Sequence, residues 1–298
     1  MIEEKVEKFD IINELIFERA PWLRQKNPHI KYLYRYLKYV LRYAATLEIS
    51  EKLAHKSAVE IFNWTEKNIA KKLVVRGLHN VPLKGAALIV ANHPTGMADA
   101  IFLHAALVKI RPDLYIFANS DVLRVFPQLS NSIAPVEWRE EKKTRAKSRC
   151  TLQFTKQAIL EQRLGVIFPS GRLSKREGFK LVERDWKTSA VALAKKYDLP
   201  IIPIHISARN SILYYLFDML HPTLRDITLF NEVLNKKNHC FAVNIGPKIL
   251  PVELSSDDNT ATNYVYNLVI ELGQKSKNHP LKALMRFRAV SRLSQYNV

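Results

Sequence analysis

From residue 71 onward the chain alternates short apolar runs with helix-length segments, and this alternation restricts the available folds more than any other feature. The runs are LVVRG (73–77), ALIVAN (87–92), LYIFAN (114–119), IAPVEW (133–138), GVIFP (165–169), PIIPIHI (200–206) and CFAVNIG (240–246). Each is too short for a helix, and most are apolar at consecutive positions, as expected of strands buried on both faces. Helical spacing fills most gaps, notably 98–109, 144–162 and 186–197. The pattern predicts an α/β fold, a mostly parallel central sheet flanked by helices. Ligands of such sheets bind beyond the carboxyl ends of the strands, so the residues that follow each run are where chemistry is expected.

Residues 1–70 form a separate helical region, 71–255 the sheet-bearing domain, and 256–298 a basic helical tail that includes NYVYNLVIELGQKSK and PLKALMRFRAVSRL. In the first region Val6, Phe9, Ile12, Ile16 and Phe17 share one helical face, and a second helix is expected after a Ser50 cap. Between them IKYLYRYLKYVLRYAATL (30–47) reads as one helix. Lys31, Arg35, Lys38 and Arg42 lie toward one side, Leu33, Leu37, Val40, Leu41 and Ala44 toward another, and Tyr32, Tyr34, Tyr36, Tyr39 and Tyr43 are interleaved. This composition suits a helix lying on a membrane surface with its tyrosines at headgroup level, and equally one packed on the main domain with a solvated basic face.

The charge favours anionic partners. Forty-six Lys and Arg against 28 acids give a formal net charge of +18 and a pI near 9.8. Nucleic acid, an acidic lipid surface, a phosphorylated metabolite and an acidic carrier protein all meet that description, as does mere solubility. No RNP, KH, zinc-finger or basic-zipper signature accompanies the charge, so nucleic acid is not expected. No run of about 18 apolar residues occurs and the first residues do not resemble a secretory signal, so a peripheral protein at the cytoplasmic face of a membrane is expected. Cys150 and Cys240 stand alone, which fits a reduced compartment, excludes a cysteine zinc site and offers no nucleophile. No HExxH or ligand-spaced cluster implies a metal.

Two stretches carry chemistry-bearing residues at strand ends. In ALIVANHPTGMADAIF, His93 follows an apolar run and Asp99 falls in the first turn of the next helix. A carboxylate so placed reaches back to the imidazole Nδ1 and leaves Nε2 free to take a proton. The alternative is a His-Pro turn followed by an acid that favours a helix N-terminus. HPTLRD at 221–226 opens with the same three residues, but it follows a helix-like segment and has no glycine loop. In GVIFPSGRLSKREGF, a strand runs into Ser170, Gly171 and Arg172, with Lys175 and Arg176 behind. Glycine permits close backbone approach and arginine offers forked donors for an anion, although the stretch reads also as a plain strand exit. It is not a P-loop.

The ordered set NHPTGMAD, IFPSGR and LPIIPIHI, each after an apolar strand or helix, resembles the glycerolipid acyltransferase superfamily over roughly residues 71–250. The resemblance implies a His93–Asp99 catalytic dyad, and an acceptor-binding block at Ser170, Gly171, Arg172 and Lys175 with Gly96 beside it. It also implies a loose middle-motif match at Arg139. Two departures stand out: five residues separate His93 from Asp99 where the family has four, and Ser170 replaces a Glu. Gly96 is expected to absorb the additional residue.

The implied activity is transfer of a fatty acyl group from acyl-CoA or acyl carrier protein to a lysolipid hydroxyl, first of all that of 1-acyl-glycerol-3-phosphate, in phospholipid synthesis. The acyl thioester is a co-substrate, and no other cofactor is implied. Backbone amides near Gly96 or Gly171 are the expected donors to the tetrahedral oxyanion. The rival readings are O- or N-acylation of an ornithine-type lipid, and a catalytically inactive homologue that binds membranes.

Overall fold

The computed structural model describes residues 2–277 except 138, 140, 141 and 179, without the side chains of residues 2–10, 238 and 275–277. The expected tail segment PLKALMRFRAVSRL and the side chains of Val6 and Phe9 lie outside what is described. All seven apolar runs are strands: β1 (Leu73–Arg76), β2 (Ala87–Ala91), β3 (Tyr115–Asn119), β4 (Ile133–Val136), β5 (Leu164–Ile167), β8 (Ile201–Ser207) and β9 (Phe241–Ile245). Two more, β6 (Lys175–Glu177) and β7 (Lys180–Val182), form a separate antiparallel hairpin. The main sheet has the order β1-β9-β8-β2-β5-β3-β4, parallel throughout except where β8 meets β9.

Strand β2 shows why the runs are continuously apolar. Its five residues are all buried, but they face two cores. Ala87, Ile89 and Ala91 join the core beneath α4 (Ala58–Asn68) and α5 (Met97–Leu107). Leu88 and Val90 join the core beneath α8 (Ser189–Tyr197) and α11 (Asp258–Lys277). A two-residue period between two helical layers requires an apolar side chain at every position.

The N-terminal helices α1 (Ile2–Arg19), α2 (Pro28–Val40) and α3 (Tyr43–Leu53) pack around Ile12, Ile16, Leu37, Leu41 and Tyr43, together with Ile227 of α10 (Pro222–Leu234). An ion network holds α1 beside α6 (Asp121–Val125): Arg19 meets Asp121 at 2.9 Å, and Glu18 meets Arg139 at 3.1 Å and Lys142 at 2.9 Å. The longer α7 (Arg145–Leu160) and α9 (Ile212–Leu220) complete the helices.

Two local expectations are corrected. The segment 30–47 is not one helix, because Arg42 adopts a left-handed conformation (φ 52°) between α2 and α3. Leu41 and Tyr43 both enter the same core, and two positions apart on a continuous helix they would point nearly opposite ways. The tertiary contact outweighs a backbone cost of about 1 kcal/mol. Leu33 and Ala44, assigned to the apolar side, are exposed. Tyr34 and Tyr43 face inward, with Tyr34 donating to Asn13 at 2.7 Å and Lys38 lying over both rings. Nor does Ser50 cap a helix: it is buried within α3 and donates to the Leu47 carbonyl at 2.7 Å. The cap is Ser57, whose hydroxyl accepts from Glu60 N–H while the Glu60 carboxylate accepts from Ser57 N–H, a reciprocal box.

His104 on α5 stacks on Phe62 at a centroid distance of 3.7 Å, and burial lowers its pKa to about 4. A free histidine titrates near 6.5, so between those values the unfolded chain holds a proton that the folded chain does not. Stability is therefore complete above about pH 6.5 and falls as the pH drops through the window, by at most about 3 kcal/mol from this group. Denaturant midpoints measured from pH 7 to 4 are expected to fall less steeply in His104→Phe than in wild type; equal slopes would contradict this assignment.

Candidate active site

The site is built at the carboxyl end of β2. Asn92 extends the strand through its side chain, donating to the Ile206 carbonyl of β8 at 3.0 Å and accepting from Ile206 N–H at 2.7 Å. This double bond fixes the exit direction of the next residue, His93. Its imidazole stacks on Phe168, the first residue after β5, at 4.3 Å between centroids. His93 N–H donates to Glu183 at 3.2 Å, and its carbonyl accepts from Ser174 N–H at 2.9 Å. The loop after β5 is thereby tied to the loop after β2.

His93 Nδ1 lies 2.9 Å from Asp99 Oδ2, with the imidazole 17% exposed and the carboxylate fully buried. The contact is close but bent, short enough for an ion pair without the alignment of a straight hydrogen bond. Nε2 has no protein partner among the described residues. Asp99 is held by three further donors: Thr95 N–H and Gly96 N–H, each at 2.9 Å, and the Thr95 hydroxyl. The carboxylate thus organises the whole connecting loop.

The additional residue between His93 and Asp99 is accommodated at Gly96, whose φ of 89° and ψ of −128° suit a residue without a Cβ. A Cβ there would also stand 3.3 Å from Leu173 and 3.6 Å from Leu229 of α10. The five-residue spacing therefore brings the pair together, through a turn that needs glycine.

The second group of candidate residues divides. Ser170 is buried and its hydroxyl donates to the Arg172 carbonyl at 2.8 Å, so it closes the turn. Gly171 (φ 60°) sits at the turn's apex with open space around it. Arg172 is exposed, and its guanidinium has no ion-pair or hydrogen-bond partner among the described residues. Lys175 lies on the exposed hairpin, paired with Glu177 at 2.7 Å. Arg139 is nine-tenths buried and engaged by Glu137 at 2.9 Å, Glu18 at 3.1 Å and Asp121 at 3.5 Å, which compensates its charge.

Of the amides near Gly96 and Gly171 expected as oxyanion donors, those of the two glycines are engaged within the protein. Gly96 N–H is bound to Asp99, and Gly171 N–H donates to the Phe168 carbonyl at 2.9 Å. Next to Gly96, the amides of Met97 and Ala98 are the first two of α5 and have no intrahelical carbonyl to reach.

His221 has a different role from His93. It is the N-cap of α10, its Nδ1 accepting from Thr223 N–H at 3.2 Å, while Asp226 pairs with Arg225 at 2.8 Å. Among the described residues no cluster of three or more His, Cys, Asp or Glu is placed to hold a metal. No helix among them is long and apolar enough to cross a membrane.

Sequence reasoning missed Glu183. It is buried and binds His93 N–H, the Ser174 hydroxyl and, at 3.3 Å, Trp186 Nε1, so it joins both site loops to the hairpin's return. The stretch KLVERDWK gave no signal for it, since Glu183 stands there beside a second acid, Asp185, among three cations. Missed as well was a buried pair behind Asp99, Lys236 with Glu232 at 2.8 Å.

Residues 72–207 match the family described as Acyltransferase. The lyso-glycine lipid O-acyltransferase of Phocaeicola vulgatus is 23% identical over 238 residues, covering 78% of this chain and 82% of that one. The protein of the same name from Bacteroides thetaiotaomicron is 20% identical over 272 residues, covering 88% and 96%. Among solved structures, the 1-acyl-sn-glycerophosphate acyltransferase PlsC of Thermotoga maritima aligns with 91% of this chain and 94% of its own at 15% identity and a TM-score of 0.46.

Proposed function

We propose, from the match of residues 72–207 to the acyltransferase family, that the chain transfers a fatty acyl group from a thioester, acyl-CoA or acyl carrier protein, to the hydroxyl of an anionic lysolipid. The observation that carries the proposal is the 2.9 Å approach of Asp99 to His93 Nδ1, with Nε2 open beside a glycine turn bearing an unpaired Arg172.

In this mechanism Asp99 holds the imidazole with its proton on Nδ1. Nε2 takes the proton of the lysolipid hydroxyl as that oxygen attacks the thioester carbonyl carbon. The oxyanion is met by the first amides of α5, assisted by the positive end of that helix. Collapse of the tetrahedral species breaks the carbon–sulfur bond, and the imidazolium returns its proton to the leaving thiolate. Arg172 holds the acceptor's anionic headgroup at the rim.

The first acceptor to test is a lyso-glycine lipid. Both curated relatives carry that name, and the carboxylate of such a headgroup suits the exposed Arg172 guanidinium at the rim, since Arg139 is neutralised by its carboxylates. The second is lysophosphatidic acid, implied by the sequence resemblance and favoured by the hairpin cations Lys175, Arg176 and Lys180. The site of action proposed is an anionic membrane surface, at its cytoplasmic face.

The test is a transfer assay offering lyso-glycine, lyso-ornithine and phosphatidate-type lysolipids with both donor carriers. Turnover is expected on at least one anionic lysolipid. With that acceptor, Arg172→Met is expected to raise KM about tenfold or more with a smaller change in kcat, the loss of one charge-assisted contact. Absence of turnover on every acceptor would sink the proposal.

A further inference from the structure

Helix α9 is apolar or aromatic at every position except Asp218, which pairs with Arg225, yet only part of that apolar surface is covered. Leu213, Tyr214 and Phe217 face the protein, where Leu213 and Phe217 pack on the core of the N-terminal helices. The other face, at positions spaced four, three and one apart, presents Ile212 (88% exposed), Leu216 (49%), Met219 (71%) and Leu220 (64%). Four large apolar side chains in one stripe are unusual for a water-facing helix.

The position of this stripe is specific. Strand β8 runs parallel to β2, so α9, which follows β8 after four residues, starts from the same edge of the sheet as His93. Leu229 of the partner helix α10 lies against Gly96 of the catalytic loop. The pair is fixed rigidly: Ser211 caps α9 by accepting from Tyr214 N–H at 3.2 Å, and Glu232 of α10 accepts Ser211 N–H at 2.8 Å. Cations border the stripe. Arg176 of the hairpin reaches Met219 Sδ at 3.6 Å and stands over the Tyr215 ring, while Lys180 on the hairpin's return strand and Arg209 just ahead of α9 are exposed.

We infer that the exposed face of α9, with the β6–β7 hairpin cations, is the surface by which the protein seats its active-site mouth on an anionic lipid bilayer. The inference rests on the proposed lysolipid acyltransferase reading, which requires an amphiphilic acceptor to pass from a bilayer to His93. Apolar residues bordered by cations match the two layers of such a surface, acyl chains beneath anionic headgroups. A second copy of the chain is a poorer occupant, because each copy carries a net charge of +18. The assignment differs from the sequence expectation, which offered the segment 30–47 either as a membrane-surface helix or as one packed on the main domain.

The experiment is flotation of the full chain on vesicles of neutral phosphatidylcholine, alone or with about a third anionic phosphatidylglycerol, at low and high salt. It compares wild type, Ile212→Ser/Leu216→Ser/Met219→Ser and Tyr32→Ser/Tyr36→Ser/Tyr39→Ser, with thermal melting as the control for folding. Wild type is expected to prefer anionic vesicles in a salt-sensitive manner. The α9 variant is expected to melt normally and to lose vesicle partition at least about tenfold, while the α2 variant loses less. Normal partition by the α9 variant, the larger loss in the α2 variant, or a wild-type dimer broken by the α9 substitutions without vesicle binding would each overturn the inference. Flotation involves no turnover, and the acyl-transfer assay in detergent involves no bilayer, so the two readings fail separately.

Discussion

Replacing His93 with alanine is expected to lower acyl transfer by about three to four orders of magnitude while leaving the fold intact. The imidazole stands at the mouth of β2 with an open nitrogen and a carboxylate behind it, and a positioned base contributes roughly 10²–10⁴ in rate. Asp99→Asn is expected to reduce kcat about as far, for two reasons. It removes the charge that stabilises the imidazolium and, with its one carbonyl oxygen kept on the Thr95 and Gly96 N–H donors, it places an amide NH₂ against the Thr95 hydroxyl that the carboxylate now accepts from. The second effect also loosens the loop, so Asp99→Asn lowers the melting temperature where His93→Ala does not. His221→Ala is the matched control: it removes a helix cap, costs about 1 kcal/mol and leaves the rate within a few-fold of wild type. Retention of more than a tenth of the wild-type rate by His93→Ala would remove it from the mechanism.

Lys236→Met is expected to have the largest effect on stability, about 3–5 kcal/mol. Lys236 is 1% exposed, and its ammonium is bound by Glu232 at 2.8 Å, the Asn210 side chain at 2.9 Å and the Arg209 carbonyl at 3.1 Å. Removing it leaves the Glu232 carboxylate buried without its counter-charge. Glu232 also accepts from Ser211, so the loss is transmitted to the start of α9. The double variant Lys236→Met/Glu232→Gln removes both charges and is expected to recover a substantial part of the loss. Urea unfolding of the two variants checks this; equal destabilisation of single and double would show that the ion pair is not the source.

The two residues whose chemistry matters most were readable because strand ends announce themselves. ALIVAN is apolar at every position but the last, so the next residue leaves the sheet at its carboxyl edge, and that residue is His93. IFPSGR ends the same way one strand over, and parallel pairing of β2 with β5 brings the two loops side by side. Glu183 was not readable, since its contacts to His93 and Ser174 join residues 90 and 9 positions away. Lys236 and Arg139 were hidden for a related reason: a cation in a strongly basic chain carries no mark of whether it faces water or a buried carboxylate.

Local pattern thus determined the seven strands, most of the helices and the place of His93 and Asp99 at the edge of the sheet, because burial on two faces imposes a periodicity that residue types alone can express. The tertiary structure decided the break at Arg42, the closure of the longer His–Asp loop on Gly96, the assignment of the Gly96 and Gly171 amides to the protein itself and the uncovered face of α9. Each of these depends on which distant element arrives opposite a given side chain, and a one-dimensional pattern records what a residue prefers without recording what it meets.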